Sequence, residues 1–182
     1  MEDIPDRSAE EARLKARPSR ARYDKAHLVL ERKWRRRELH ADRMMREVVD
    51  VLWDAFAGSP YSWCGFYLLA ADGKSLVLGP HRDRPACSPL PMHGVCGRVA
   101  SSGRALVAPD VQALGEAHIE CDPRNVSEIA LPVFDKTGKV WAVFDADSAV
   151  PAAFDEMDQR WLEKILKGFE ETGAPESGRQ SD

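Results

Sequence analysis

The stretch SEIALPVFDKTGKVWAVFDADS, residues 127–148, decides the fold. It contains two apolar runs, 127–134 and 139–147, which are rich in β-branched and aromatic residues and therefore read as strands. Thr137-Gly138 stands between the runs and suits a tight hairpin turn. The stretch predicts an antiparallel hairpin.

Three carboxylates fall at the open end of this hairpin. If Thr137-Gly138 forms a two-residue turn, Glu128 lies opposite Asp147, whereas a four-residue loop would place it opposite Asp145. Asp145 and Asp147 share one face of their strand at a spacing of about 7 Å. Like charges that face each other across a pair of strands are destabilising. The cluster therefore indicates a functional role for these carboxylates.

Spacing alone leaves three interpretations of this cluster open. It could bind a cationic or hydrogen-bond-donating ligand, with one carboxyl of raised pKa supplying a proton. It could instead hold Ca²⁺ or Mg²⁺. The third interpretation is that the three side chains end their strands and extend into water.

Further segments have strand character: 61–69, 74–79 and 104–108. Asp72-Gly73 suits a hairpin turn between the first two. A short helix fits 94–102, and Gly103 would end it. A last helix presents one apolar stripe, formed by Phe154, Met157, Trp161, Ile165 and Phe169. These elements predict an α+β domain with a central antiparallel sheet flanked by N- and C-terminal helices.

A long helical region precedes the strands, because residues 23–56 contain no Gly or Pro and are rich in helix formers. The second half of this region has an apolar stripe that should pack on a core. The first half has few apolar residues on one face, so we expect it to project from the domain or to pack only in an oligomer. We predict three segments. Residues 1–40 form a basic extension that is partly disordered and then helical, residues 41–172 form the folded domain, and residues 173–182 form a disordered tail.

Charge is distributed unevenly along the chain. Residues 1–46 carry 14 Lys and Arg against 9 Asp and Glu, and the remainder carries 12 against 21. The basic arm could contact nucleic acid or an anionic membrane, but a solvated helix face or an arm lying on its own acidic domain explains it better. No run approaches the roughly 20 apolar residues of a membrane span, and the N-terminal residues lack the apolar core of a secretory signal. We therefore expect a cytoplasmic protein that binds neither membrane nor nucleic acid.

In the cytoplasm, the four cysteines indicate reactive, metal-bound or buried thiols rather than permanent disulfides. Cys64 lies inside an apolar strand, so we expect it to be buried. Cys87, Cys96 and Cys121 lie in connecting segments, where thiol chemistry is more plausible. Cys96 falls near the start of the short helix, whose dipole would favour a thiolate.

Two kinds of chemistry fit these cysteines. The pairs His93-x-x-Cys96 and His118-x-x-Cys121 could supply a zinc site. The other option is thiol redox chemistry, in which a thiolate attacks an oxidised sulfur and the resulting sulfenic acid is resolved to a disulfide. The oxygen then leaves as water and needs a proton donor, and a carboxyl kept neutral by neighbouring carboxylates is a suitable one.

Several motifs, in the same order, resemble the free methionine-(R)-sulfoxide reductases, which are stand-alone GAF-domain enzymes. The most specific are PAC at 85–87, GVCG at 94–97, HIECD at 118–122 followed by SEI at 127–129, and FDADS at 144–148. The resemblance covers about residues 60–160 and implies a GAF domain, here with an added basic N-terminal helical arm. It implies an L-methionine (R)-S-oxide reductase that acts on free methionine sulfoxide, uses thioredoxin as reductant, and needs no cofactor or metal. It is also compatible with a homodimer.

The resemblance assigns roles to the cysteines. Cys121, in HIECD, would be the attacking nucleophile. Cys87, in PAC, would resolve the sulfenic acid as a disulfide. Cys96, in GVCG, would be a third participant without an assigned role. The sequence also leaves open whether Cys121 and Cys87 exchange the roles of nucleophile and resolving cysteine.

The resemblance also predicts the substrate-binding residues. Glu128, Asp145 and Asp147 would line the pocket, bind the sulfoxide or the substrate ammonium, and donate the proton. Asp110 would help to hold the amino group, and Trp63 would form an apolar wall near the substrate methyl. The alternative is a non-catalytic GAF module that binds a small ligand or senses redox state and signals through its N-terminal helix.

Overall fold

The computed structural model describes residues 20–35, 38–83 and 85–172. The helices are α1 (Arg20–Trp34), α2 (Ala41–Phe56), α3 (Val95–Ser102) and α4 (Glu156–Leu166), with 3₁₀-helices at Val111–Ala117 and Lys167–Phe169. The strands are β1 (Tyr61–Leu69), β2 (Ser75–Arg82), β3 (Leu90–Pro91), β4 (Leu106–Ala108), β5 (Ser127–Phe134) and β6 (Val140–Ser148). The predicted terminal segments 1–19 and 173–182 lie outside the described residues, so the division of the chain stays a prediction. Within the described ranges, no helix is both long and apolar enough to cross a membrane.

All six strands form one antiparallel sheet in the order β3-β2-β1-β6-β5-β4. Successive side chains on a strand point to opposite faces, so β1 serves two separate cores. Cys64 and Phe66 join the core shared with α1, α2 and α4, whereas Trp63 and Tyr67 join the core shared with α3. The predicted α+β fold, a central antiparallel sheet flanked by helices, is confirmed.

The hairpin formed by β5 and β6 has the first of the two predicted registers, because Glu128 pairs with Asp147. Its turn is nevertheless longer than two residues. The N–H of Asp135 donates to the carbonyl of Lys139 at 2.9 Å, and Gly138 has φ +81°. This is a three-residue loop with a left-handed glycine. A register shift at the end of β5 absorbs the extra residue.

Helix α1 packs against the domain, so the prediction that this segment projects is wrong. Tyr23, Ala26 and Leu30 are at most 3% exposed and lie in one core with α2 and α4. They repeat every three to four residues, which gives a narrow stripe that includes one alanine. Leu28, another apolar residue of this helix, is 44% exposed on the outer side. The Tyr23 and Tyr61 hydroxyls lie 3.0 Å apart and add a buried polar contact between α1 and β1.

Candidate active site

A cavity lies on the face of the sheet that carries Trp63. Strands β1, β6 and β5 form its floor, and the start of α3 and the loops around residues 85–91 and 118–125 enclose it. Its lining combines aromatic, sulfur and carboxylate side chains: Trp63, Tyr67, Pro85, Ala86, Leu90, Pro91, Gly94, Val95, Cys96, His118, Ile119, Cys121, Asn125, Glu128, Asp145 and Asp147.

The floor of the cavity follows from the strand register. Trp63, Asp147 and Glu128 form one row across β1, β6 and β5. Asp145 stands in the next row and pairs with Gly65 of β1. Since alternate residues of a strand share a face, the pairing brings all three predicted carboxylates and the predicted tryptophan into the same cavity.

Burial raises the pKa values of all three carboxyls in this cluster. Glu128 and Asp145 are each only 8% exposed. Burial, together with the charge of Asp145, raises the pKa of Glu128 to about 8. Burial raises the pKa of Asp145 to about 7, although a hydrogen bond with Cys96 opposes the shift. For Asp147, burial and then the charges of the other two raise the pKa well above its usual value.

The interpretation of these carboxylates as strand ends extending into water is therefore wrong for Glu128 and Asp145. A protonated carboxyl near neutral pH can act as a general acid. In the part of the chain that the structure describes, no group of His, Cys, Asp or Glu side chains is arranged to hold a metal ion.

Cys87 and Cys121 are joined by a disulfide at the edge of the cavity, with their Cα atoms 5.4 Å apart. The bond ties the PAC loop to the HIECD loop, which is the pairing that the family resemblance implies. The hydroxyl of Tyr67 donates to the carbonyl of Cys87 at 3.1 Å and so holds the first loop over the sheet. The alternative of a zinc site does not fit this arrangement, because the Cys121 sulfur is bonded to Cys87 and His93 is exposed.

The two free cysteines lie on opposite faces of the sheet. Cys96 is buried at the start of α3, and burial, followed by the charges of Asp145 and Glu128, raises the pKa of its thiol. The prediction that the helix dipole favours a thiolate at Cys96 is wrong, because desolvation beside carboxylates outweighs the dipole. Cys64 is fully buried in the helix-side core, and the raised pKa of its thiol fits the expected packing role.

Two predicted site residues are not part of the cavity lining: Cys87, which is tied to the lining residue Cys121 by the disulfide, and Asp110. Asp110 has no such link to the cavity. It is exposed, and its carboxylate accepts from the backbone N–H of Gln112 at 2.9 Å, at the start of the 3₁₀-helix Val111–Ala117. Its position indicates a capping role. Asp110 lies outside the cavity lining, and its role in holding the substrate amino group stays a prediction.

Three polar residues of the cavity lining were not predicted as substrate-binding residues: Tyr67, His118 and Asn125. Tyr67 lies four residues after Trp63 on the same strand, so its parity alone could have placed it on this face. Asn125 hydrogen-bonds Asp147 and accepts from the Ser62 hydroxyl at 3.0 Å. His118 was considered only as a zinc ligand.

Comparison with known proteins identifies the fold family first. The family described as "GAF domain" matches residues 38–168. Protein YtsP of Bacillus subtilis is 39% identical over 110 residues, which cover 60% of this chain and 66% of that protein. The free methionine-R-sulfoxide reductase of Saccharomyces cerevisiae is 35% identical over 121 residues, covering 64% of this chain and 67% of that protein. The chain thus spans about two thirds of the length of these curated relatives.

A solved structure extends the comparison over nearly the whole chain. The free methionine-R-sulfoxide reductase of Neisseria meningitidis, solved in complex with its substrate, is 30% identical with a TM-score of 0.70. The match covers 93% of this chain and 92% of that one. The protein is thus a GAF domain with a disulfide and three carboxylates at one cavity. Within the GAF-domain family, the chain belongs to the free methionine-R-sulfoxide reductases.

Proposed function

We propose that the protein reduces free L-methionine (R)-sulfoxide to L-methionine through a dithiol–disulfide cycle, with thioredoxin as the reductant in the cytoplasm. The observation that carries the proposal is the position of the Cys87–Cys121 disulfide at the same cavity as three carboxylates. Thiols supply the two electrons that a sulfoxide needs, and the carboxyls supply protons. The substrate-bound Neisseria relative supports the choice of substrate.

In the first step, the Cys121 thiolate attacks the sulfoxide sulfur. The oxygen is transferred to Cys121, which becomes a sulfenic acid, and methionine leaves with its sulfur reduced. The sulfoxide oxygen must be protonated as this happens. Glu128 and Asp145, whose pKa values are about 8 and about 7, can supply that proton near neutral pH.

In the second step, the thiol of Cys87 attacks the sulfur of Cys121, and the hydroxyl of the sulfenic acid leaves as water. The sum is one sulfoxide and two thiols converted to one thioether, one disulfide and one water. The Cα separation of 5.4 Å is within the usual range for a disulfide. Thiol exchange with reduced thioredoxin then restores both thiols, and Cys96 stays the third participant without an assigned step.

Binding uses the floor of the cavity. Trp63 offers an apolar surface for the substrate methyl, and its ring stacks with Tyr67 and His81 at centroid distances of 5.8 and 5.9 Å. Asp147 keeps partial exposure on the same row as Glu128, where it can accept hydrogen bonds from a substrate ammonium. The sulfoxide is then placed between the apolar wall and the protonated carboxyls.

Turnover of the two epimers of free methionine sulfoxide tests the proposal. Reduced protein with dithiothreitol should release methionine from the R epimer only, and thioredoxin with its reductase and NADPH should replace dithiothreitol. Cys121→Ser should abolish turnover. Cys64→Ala is the matched control and should stay active, because Cys64 lies on the opposite face of the sheet. Absence of turnover of the R epimer by fully reduced protein would overturn the proposal.

A further inference from the structure

The loop that carries Cys87 is attached to the sheet at two successive residues. The hydroxyl of Tyr67 donates to the carbonyl of Cys87 at 3.1 Å. The backbone N–H of Leu78 donates to the hydroxyl of Ser88, also at 3.1 Å. Tyr67 and Leu78 are direct partners in the pairing of β1 with β2. One row of the sheet therefore supplies both donors.

The chain around these two anchors has little conformational freedom of its own. Residues 85–91 contain three prolines, each of which fixes its own φ. Leu90 then pairs with Leu76 of β2, so the loop rejoins the sheet two residues after Ser88. The position of Cys87 thus depends on a short, stiff segment and on its contacts with the sheet.

The hydrogen bond from Tyr67 favours the loop position that is seen in the structure. The side chain of Tyr67 is only 3% exposed, so a departing carbonyl would leave its hydroxyl with little water to bond. A buried hydroxyl that loses its partner costs free energy. Neither anchor involves a sulfur atom, because Cys87 accepts through its carbonyl and Ser88 through its hydroxyl. Reduction of the disulfide therefore removes neither of them.

We propose that Tyr67 is a positioning residue for the resolving step, because it holds Cys87 beside Cys121 and so raises the effective concentration of the resolving thiol. In turnover, the Cys87 thiol then meets the Cys121 sulfenic acid without a prior movement of its loop. The S–S bond forms as the S–O bond breaks, and the hydroxyl leaves with the thiol proton as water. The inference rests on the proposed function, to which it adds a residue that acts through Cys87.

The redox equilibrium of the Cys87–Cys121 pair with glutathione measures this positioning directly and needs no substrate. Oxidised protein is equilibrated with increasing reduced glutathione, free thiols are alkylated, and the remaining Cys87–Cys121 disulfide is quantified by peptide mapping. In Tyr67→Phe, the equilibrium constant for disulfide formation should fall by about 3- to 10-fold, the range of one ordinary hydrogen bond. Ser88→Ala should shift it in the same direction without altering the cavity, because Ser88 is exposed and lies outside the lining.

Tyr61→Phe is the matched control, because Tyr61 is on the same strand but its hydroxyl lies 3.0 Å from that of Tyr23 in the helix-side core. It should keep the wild-type equilibrium. A wild-type equilibrium in Tyr67→Phe would overturn the inference. Equal shifts in Tyr67→Phe and Tyr61→Phe would overturn it too, since they would reflect a general loss of packing. Turnover of the R epimer is a separate measurement: an inactive wild type would overturn the proposed function, whereas the glutathione equilibrium decides the role of Tyr67.

Discussion

Replacing Glu128 by glutamine is expected to change how the free energy of unfolding depends on pH. Burial and the charge of Asp145 raise the pKa of Glu128 from 4.5 to about 8 in the folded protein. Between these values the unfolded chain releases the proton and the folded protein retains it. The stabilising contribution is therefore complete below pH 4.5 and is lost as the pH rises to about 8.

The size of the effect follows from linkage. One proton of difference between the two states costs about 1.4 kcal/mol per pH unit. From pH 5.5 to pH 7.5, Glu128 alone should lower wild-type stability by about 2.5 kcal/mol, because the folded group begins to ionise near the upper end of this range. A glutamine does not titrate, so Glu128→Gln should lose this slope and become more stable than the wild type towards higher pH.

Urea unfolding of the disulfide-bonded protein at pH 5.5, 6.5 and 7.5 measures the slope. Effects of groups outside the carboxylate cluster are common to both proteins and cancel when the two curves are subtracted. Asp147 and Cys96 also lose the charge of Glu128 in the variant, so the difference between the curves reports on the cluster as a unit. Glu171→Gln is the control, because its side chain is exposed and remote from the cavity, and it should follow the wild type. Parallel stability curves for the wild type and Glu128→Gln would refute the reasoning, since they would mean that Glu128 titrates alike in folded and unfolded chains.

Three further predictions concern packing, substrate fit and proton supply. Leu30→Ala should lower the free energy of unfolding by about 2–5 kcal/mol in a denaturant titration, the usual cost of a cavity in a core; a loss under 1 kcal/mol would contradict the packing of α1. Gly65→Ala should raise KM for the sulfoxide in steady-state kinetics. The added Cβ would lie 2.5 Å from the His81 Cβ and 2.7 Å from the Trp63 ring, so the ring must shift. An unchanged KM would show that the Trp63 ring does not contact the substrate. Single-turnover reduction should slow above about pH 8, where Glu128 loses its proton, and a rate that keeps rising to pH 9.5 would exclude Glu128 as the acid.

The alternation of strand residues made the floor of the cavity predictable from sequence. Glu128 and Asp147 face each other, which is one of the two predicted registers, although the loop has neither of the two predicted lengths. A three-residue loop and a bulge together preserve the pairing that a two-residue turn would give. Strand parity survives such local changes, because it depends on the whole run of residues and not on the turn alone.

Features that depend on packing between distant segments were not predictable in this way. The pKa of Cys96 depends on its burial beneath residues that are remote in sequence. The helix dipole alone therefore predicted a lowered pKa, whereas burial raises it. Helix α1 was misjudged because its buried stripe includes a small residue, Ala26, and because Leu28 faces outward. Asp110 lies in a motif shared with the family but turns to its own backbone.

Because α1 packs into the core, the part of the chain that folds together is longer than the segment that matches the GAF family. The GAF family match begins at residue 38, yet Tyr23 and Leu30, upstream of that point, are 0% and 1% exposed in the same core as Phe56. A fragment cut at the family boundary would leave the apolar surface beneath α1 open to water, and its solubility would suffer accordingly. For this chain, a fragment that keeps its core closed must include α1 from Tyr23 onward, which lies well upstream of the residue where the family match begins.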